Sequence, residues 1–304
     1  MEKIKFLCEK KEGRLDSFLT NALKEEFGLS RSLIQKYIED KLITVNGESV
    51  TNKYSLLEND EIEVIIPDPK ELDIVPEDLN IKIVYEDDDL LIVDKPNNMV
   101  VHPAPGNPSG TLVNGLMFQI KKLSSISGVL RPGIVHRLDK LTTGLMIVAK
   151  SDEAHKKLVE MLKNREIKKI YTGLVHGVIH ENNGRIEMPI GRHQGDRKKM
   201  AVTDKNSKNA ITNFTVLKRL EKNTLVSFHI ETGRTHQIRV HASAIGFPIV
   251  GDPLYASKED AKEPFGQYLH SSELEFIHPI KNKKMLFKSE LPKEFIDKIK
   301  ELEK

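Results

Sequence analysis

Apolar residues recur at the helical interval near the start of the chain. In LDSFLTNALKEE, residues 15–26, Leu15, Phe18, Leu19, Ala22 and Leu23 fall at i, i+3, i+4, i+7 and i+8, the spacing of one helix face. RSLIQKYIEDK predicts a second helix, with Ser30 in the capping position and Leu33, Ile34 and Ile38 on the inward side. The period then changes to two. LITV, the turn dipeptide Asn46-Gly47 and ESVT predict a short hairpin, and DEIEVIIP at 60–67 predicts another strand carrying Ile62, Val64 and Ile66 toward one side. Residues 1–66 therefore predict a compact α/β module.

The next segment, PDPKELDIVPEDLN at 67–80, is acidic and proline-spaced without periodicity, which marks a linker. Beyond it, IKIVY and LLIVD predict strands, VHPAPGNPSG a loop, and Thr111 the start of a helix. LMIVA predicts a further strand, and Ser151 with two acids after it opens a helix through about Asn164. Strand-like residues dominate from Ile167 to His229, interrupted by a basic stretch expected to be a mobile exposed loop. A helix after Thr235, a loop around GDPLY and a helix from Leu291 close the chain. With no regular strand-helix-strand rhythm, residues 81–304 predict an α+β domain on a mixed, mainly antiparallel sheet.

At 304 residues the chain is long enough for two domains. Its 47 Lys+Arg against 45 Asp+Glu leave a net charge of only +2, so a nucleic-acid partner must be argued from local patches. Cys8 is the single cysteine, which excludes an internal disulfide and a cysteine-built zinc site and suits a reducing compartment. No apolar run approaches the roughly 20 residues of a membrane helix, and MEKIKFLCEKKEGR has no apolar core of a targeting signal. The expectation is a soluble, cytoplasmic monomer.

Three segments carry candidate chemistry. In HRLDKLTTGL, residues 136–145, Asp139 stands between Arg137 and Lys140; such an acid is either held by a guanidinium or is an ordinary turn aspartate. In ETGRTHQIRVHASAIG, residues 231–246, a helix near Thr235 puts His236 and Arg239 on one face and Arg234 at the turn, where a guanidinium can meet a loop carboxylate; the plain alternative is an amphipathic helix burying Ile238 and Ala242. His236 and His241 are spaced wrongly for a shared metal and no HExxH occurs, so no metal is expected. In REIKKIYTGLVHG, Tyr171 is a strand aromatic, either core or a platform for a base, with Ile170 on the opposite face.

Charge is concentrated locally. Residues 191–210 carry six cations against two acids, Lys198 and Lys199 among them, and residues 162–169 carry four against one. Either is a solvated face or a phosphate contact. In the first module Arg31, Gln35 and Lys36 are expected on the outer side of the second helix, although residues 1–66 have net charge −3. KKMAVT at 198–203 is superficially like a synthetase loop, but no HIGH-like element, P-loop or GxSxG accompanies it.

GRLDSFL, LSRSLIQKYIEDKLITVNG and DEIEV, in that order, resemble the S4 RNA-binding domain, which implies RNA contact through Ser30, Arg31 and Gln35. HRLD with TTGL, IYTGLVHG, GRTHQIRVH, GDPLY and LHSSELEFIHP resemble the pseudouridine synthases of the RsuA/RluA superfamily, and with the S4 module in front the ribosomal large subunit synthase D and C group. That resemblance implies isomerisation of uridine to pseudouridine without metal or cofactor. The partner would be large-subunit ribosomal RNA or a pre-ribosomal particle. Asp139 would be the catalytic carboxylate, Arg239 its ion-pair partner and Tyr171 the residue packed on uracil. Arg137 would help displace the target nucleotide; Leu141 and Ile170 would line the pocket; His136, Thr143, Arg234, Lys198 and Lys199 would contact substrate or RNA. Rival readings are a non-catalytic ribosome-assembly factor on the same fold and a synthase acting on tRNA.

Overall fold

The computed structural model describes residues 2–27, 29, 31–66, 74–104, 106–121, 123–124, 132–196 and 198–303. Contacts divide the chain into two units, Met1–Glu71 and Leu72–Lys304.

The first unit runs β1 (Glu2–Leu7), α1 (Leu15–Phe27), α2 (Arg31–Glu39), β2 (Ile43–Val45), β3 (Glu48–Ser49) and β4 (Glu61–Ile66). Its antiparallel sheet has the order β1-β4-β2-β3. Leu15, Leu19 and Leu23 of α1 and Ile34 and Ile38 of α2 close over Ile43, Val45, Ile62 and Val64 of the sheet. The hairpin turns at Asn46 and Gly47, both at positive φ (53° and 79°), the pair of conformations that a two-residue type I′ turn requires. Strand β1 was not expected. Its alternation of Lys3 and Lys5 with Ile4 and Phe6 places cations on one side and apolar side chains against the core, a pattern suited to an edge strand.

The second unit contains β5 (Lys82–Glu86), β6 (Leu90–Lys95), α3 (Leu112–Gln119), β7 (Thr143–Ala149), α4 (Asp152–Lys163), β8 (Lys168–His176), β9 (Asn183–Glu187), β10 (Ile190–Arg192), β11 (Met200–Val202), β12 (Ile211–Arg219), β13 (Asn223–Ile230), α5 (Gln237–Ala244), β14 (Leu269–Ile277), β15 (Lys284–Lys288) and α6 (Lys293–Leu302). Nine strands form one sheet in the order β5-β6-β7-β14-β8-β13-β12-β9, with β15 joined to β14. Among the described residues only the β7–β14 pair is parallel; the other pairs of this sheet are antiparallel. The mixed α+β architecture is the one expected.

Side-chain parity distributes the sheet between two cores. Leu91 and Val93 of β6 and Met146 and Val148 of β7 pack with Leu112, Val113 and Leu116 of α3 and Ile238 and Ala242 of α5. Their neighbours Leu90, Ile92, Leu145 and Ile147 point to the other face, under Leu158 and Met161 of α4. Covered on both faces, β7 is buried along its whole length, which is why LMIVA is continuously apolar. Helix α4 starts where Ser151 accepts the Ala154 amide, with Asp152 and Glu153 in its first turn.

Two local features position the site. Gly144 sits at φ 103° against β14, where a Cβ would run into the Ser271 carbonyl, so the TTGL glycine permits the parallel pairing. The fully buried Lys95 at the end of β6 donates to the carbonyls of Pro96 (2.9 Å), Met99 (2.8 Å) and Lys140 (3.2 Å), fastening the segment that follows Asp139. Burial pulls this amine down to about 7, while three carbonyl acceptors match the three N–H groups of its charged form. Among the described residues no helix is long and apolar enough to cross a membrane.

Candidate active site

The HRLD segment enters β7 beside the N-terminus of α5, and the two border a cavity of about 430 Å³. Asp139, 18% exposed, accepts a 2.9 Å hydrogen bond from Arg239 Nη1. Arg239 is 4% exposed and spends the rest of its fork on Asp252: Nε to Oδ2 at 2.6 Å and Nη2 to Oδ1 at 2.9 Å. Asp252 is fully buried and also accepts the amides of Leu254 and Tyr255. Burial works against the guanidinium, but Asp252 and Asp139 outweigh it and hold the group charged, above its already high range. Tyr255 closes the other side, its ring centroid 5.1 Å from Arg239 Cζ.

The turn into α5 depends on His236, a left-handed residue at φ 56°. Its Nδ1 lies 2.8 Å from Tyr255 Oη and its Nε2 4.0 Å from Asp139 Oδ1. Burial lowers the imidazole, so it is neutral near pH 7. The Tyr255 hydroxyl also accepts the Met200 amide at 2.7 Å, which ties the cavity wall to β11.

Tyr171, 6% exposed on β8, lines the cavity. Burial, then the charge of Asp139, raises its hydroxyl, with a hydrogen bond to Ser271 acting the other way; it is a phenol at neutral pH. Thus Asp139, Tyr171, Arg239, Arg137, His136 and Arg234 all border one cavity.

Several expected contacts fall elsewhere or act differently. Arg234 lines the cavity, but its Nε donates to the Asn209 carbonyl at 2.9 Å, and Arg239 is the guanidinium on the acid. The imidazole of His136 is turned inward, where Nε2 accepts the Ile147 amide at 3.0 Å, so it braces β7. Thr143 bonds His270 Nδ1 at 2.8 Å and borders a second depression; the neighbouring Thr142, one step away in a period of two, faces the cavity that holds Asp139. Leu141 and Ile170 are not in the cavity lining either; Ile170 points to the face opposite Tyr171. Residues 191–210 are not one mobile loop: β10 and β11 pair into a ribbon, with exposed Lys198 and half-buried Lys199 at its tip.

In the first unit, Arg31 and Gln35 do not extend freely outward. Arg31 Nε and Nη2 reach the buried carboxylate of Asp16, both at 3.1 Å, and Gln35 Nε2 reaches it at 2.7 Å, with Arg14 completing the cluster. Against the cost of burial, these donors hold the Asp16 carboxyl far below the usual range. Ser30 lies outside the described residues.

Sequence reasoning missed Asp252, Tyr255 and Lys169. The first two belong to GDPLY, where an acid before a turn is read as turn chemistry. Lys169 belongs to a run of cations whose pattern predicts a solvated surface, yet it is 7% exposed and lines the cavity. Away from the cavity, Asp87, Asp89 and His278 are the ligand-type group close enough for a metal among the described residues, and Asp87 already takes Lys281 and His278.

The half-buried His136 gives a pH dependence. Burial, reinforced by Lys169, lowers its imidazole to about 3, whereas an unfolded histidine titrates near 6.5. Between those values the unfolded chain binds more protons, so stability is complete above about pH 6.5 and falls on acidification, by up to ~1.4 kcal/mol per pH unit for this group. Urea midpoints measured from pH 7 to 5 should fall, and His136→Gln, which keeps an acceptor for Ile147, should flatten the decline. An unchanged slope rejects the assignment.

A family model described as RNA pseudouridylate synthase matches residues 89–244, and one for the S4 domain matches residues 13–62. The chain is 46% identical to the RNA pseudouridine synthase YlyB of Bacillus subtilis (strain 168), covering 97% of this chain and 96% of the relative. It is 39% identical to ribosomal large subunit pseudouridine synthase D of Neisseria meningitidis serogroup A, covering 92% and 76%. Among solved structures, human RNA pseudouridylate synthase domain containing 1 matches with TM-score 0.58 and 27% identity, over 74% of this chain and 86% of that one.

Proposed function

We propose, from the premise that this chain belongs to the RNA pseudouridylate synthase family and is an RNA pseudouridine synthase, that it isomerises uridines of large-subunit ribosomal RNA, with Asp139 as the acting carboxylate. The observation that carries the assignment of the acid is its position: Asp139 stands in the cavity wall, 2.9 Å from a buried guanidinium whose other carboxylate partner, among the described residues, is Asp252.

The reaction breaks the N1–C1′ bond and joins C5 to C1′; the hydrogen leaves C5, a proton arrives at N1, and no redox equivalent or energy donor is consumed. A carboxylate serves this chemistry by covalent attack or by removing the C2′ proton. Both routes need the target nucleotide out of its stack, at a cost of a few kcal/mol. Exposed Arg137, two residues before Asp139, is placed at the cavity wall to occupy the vacated space. Tyr171 supplies an aromatic face for the detached base, and the Arg239–Asp252 pair fixes the acid before substrate arrives. Lys198 and Lys199 on the ribbon, and the outer edges of Arg14 and Arg31 beside Asp16, are phosphate contacts in this reading.

Support for a ribosomal target comes from the S4 domain and from relatives named ribosomal large subunit pseudouridine synthase D. This target places the protein in the cytoplasm. Mapping carbodiimide-sensitive stops across total RNA from cells with and without the gene tests it: loss of one or a few pseudouridines in large-subunit rRNA is expected. Loss confined to tRNA transfers the activity to that substrate, and an unchanged map favours the non-catalytic assembly factor.

A further inference from the structure

We infer that Lys169 is the cavity group that receives the negative charge of the uracil once its bond to the ribose opens; this rests on the reaction assigned above. Lys169 and Tyr171 are two apart on β8 and so share the strand face that lines the cavity. Lys168 and Ile170 point the other way, and Lys168 is exposed and pairs with Glu275 at 3.5 Å. Among the described residues no carboxylate lies within ion-pair distance of Lys169, and its Nζ stands about one contact away from the position a side chain would take at Gly233, 3.9 Å.

The other cavity cations are either engaged or open to solvent, Lys163 being among the exposed ones. Arg239 is divided between Asp139 and Asp252, Arg234 is tethered through Nε to Asn209, and Arg137 is exposed at the surface. The nearby His136 accepts the Ile147 amide and is neutral. Burial depresses the Lys169 amine to about 8, so it still carries its proton near neutral pH. A buried cation without a counter-charge is costly to the fold, and a ligand that brings negative charge accounts for keeping it.

RNA offers two such charges, a phosphate and the detached base. The position of Lys169 favours the base. A phosphodiester remains hydrated at the mouth, where Arg137 stands, whereas the extruded base enters deepest and meets the wall formed by Tyr171 and Lys169. When N1–C1′ opens, the bonding pair passes to the uracil and spreads over N1, O2 and O4. Lys169 donates a hydrogen bond to a uracil carbonyl oxygen and retains its own proton. The base turns, C5 bonds C1′, and the hydrogen lost from C5 is balanced by the proton gained at N1. The contact therefore strengthens as charge develops, which is the condition for accelerating the chemical step rather than tightening binding alone.

The test uses full-length protein and an RNA fragment spanning a uridine whose modification disappears in cells lacking the gene, so that the underlying reaction is tested before Lys169 is. Single-turnover rate, Kd, its salt dependence and the thermal midpoint are measured for the wild type, Lys169→Met and Lys169→Arg. The inference expects Lys169→Met to lower the rate by about 10²-fold with Kd and salt slope unchanged. It also expects an equal or higher thermal midpoint, because an unpaired buried charge has been removed, and partial recovery of rate in Lys169→Arg. A weaker Kd with a salt slope smaller by about one would make Lys169 a phosphate contact and overturn it. A wild-type rate, or a rate loss accompanied by a falling midpoint, would overturn it as well.

Discussion

Asparagine at position 139 is expected to reduce turnover by about 10⁴-fold or more while RNA affinity stays near that of the wild type. The substitution keeps size and an oxygen that can accept from Arg239 Nη1, so the 2.9 Å contact need not be lost. Charge and nucleophilicity are lost, and either route to pseudouridine depends on them: an amide neither attacks the sugar nor removes a C2′ proton. The fold is not at stake, because Asp139 is partly open to solvent and Arg239 retains both of its bonds to Asp252. Product is counted by carbodiimide stops under single-turnover conditions and binding by anisotropy on the same RNA. Activity within tenfold of the wild type would remove Asp139 from the chemistry. A parallel loss of binding would make it an RNA-positioning residue.

The elements around this acid were largely legible because they rest on local rules. The cap at Ser151, the turn at Asn46-Gly47 and the apolar run of β7 each follow from a few neighbouring residues. What failed to show required distant partners. Residue spacing alone left Arg234 and Arg239 as alternative guanidiniums for Asp139, and the difference is made by His236, whose left-handed φ of 56° begins α5 without a glycine to announce it. Thr142 and Thr143 exchange roles through a single step of strand parity. Lys168 and Lys169 look alike in a run of cations, yet the same parity exposes one and buries the other. The ribbon at 190–202 hides because three-residue strands carry almost no periodic signal. Asp252 reads as a turn residue because its second role, closing on Arg239, involves a side chain from another element.

That second role makes Asp252 the position where the largest loss of folding stability is expected. Asp252→Ala removes both carboxylate oxygens from Arg239, a guanidinium 4% exposed, and leaves it one bond to Asp139. Breaking a buried pair by deleting one partner costs about 3–5 kcal/mol, and the amides of Leu254 and Tyr255 lose their acceptor as well. Turnover should fall too, since an arginine freed on one side no longer fixes the direction from which it meets Asp139. Because these costs have two sources, Asp252→Ala is compared with Asp252→Ala/Arg239→Met in urea titrations. If the unpaired guanidinium is the dominant cost, the double variant regains about 2 kcal/mol of stability yet remains inactive, for the acid has then lost its cationic partner altogether. Equal stability in the single and double variants would mean that Asp252 serves the turn amides and that Arg239 tolerates being left with Asp139 alone.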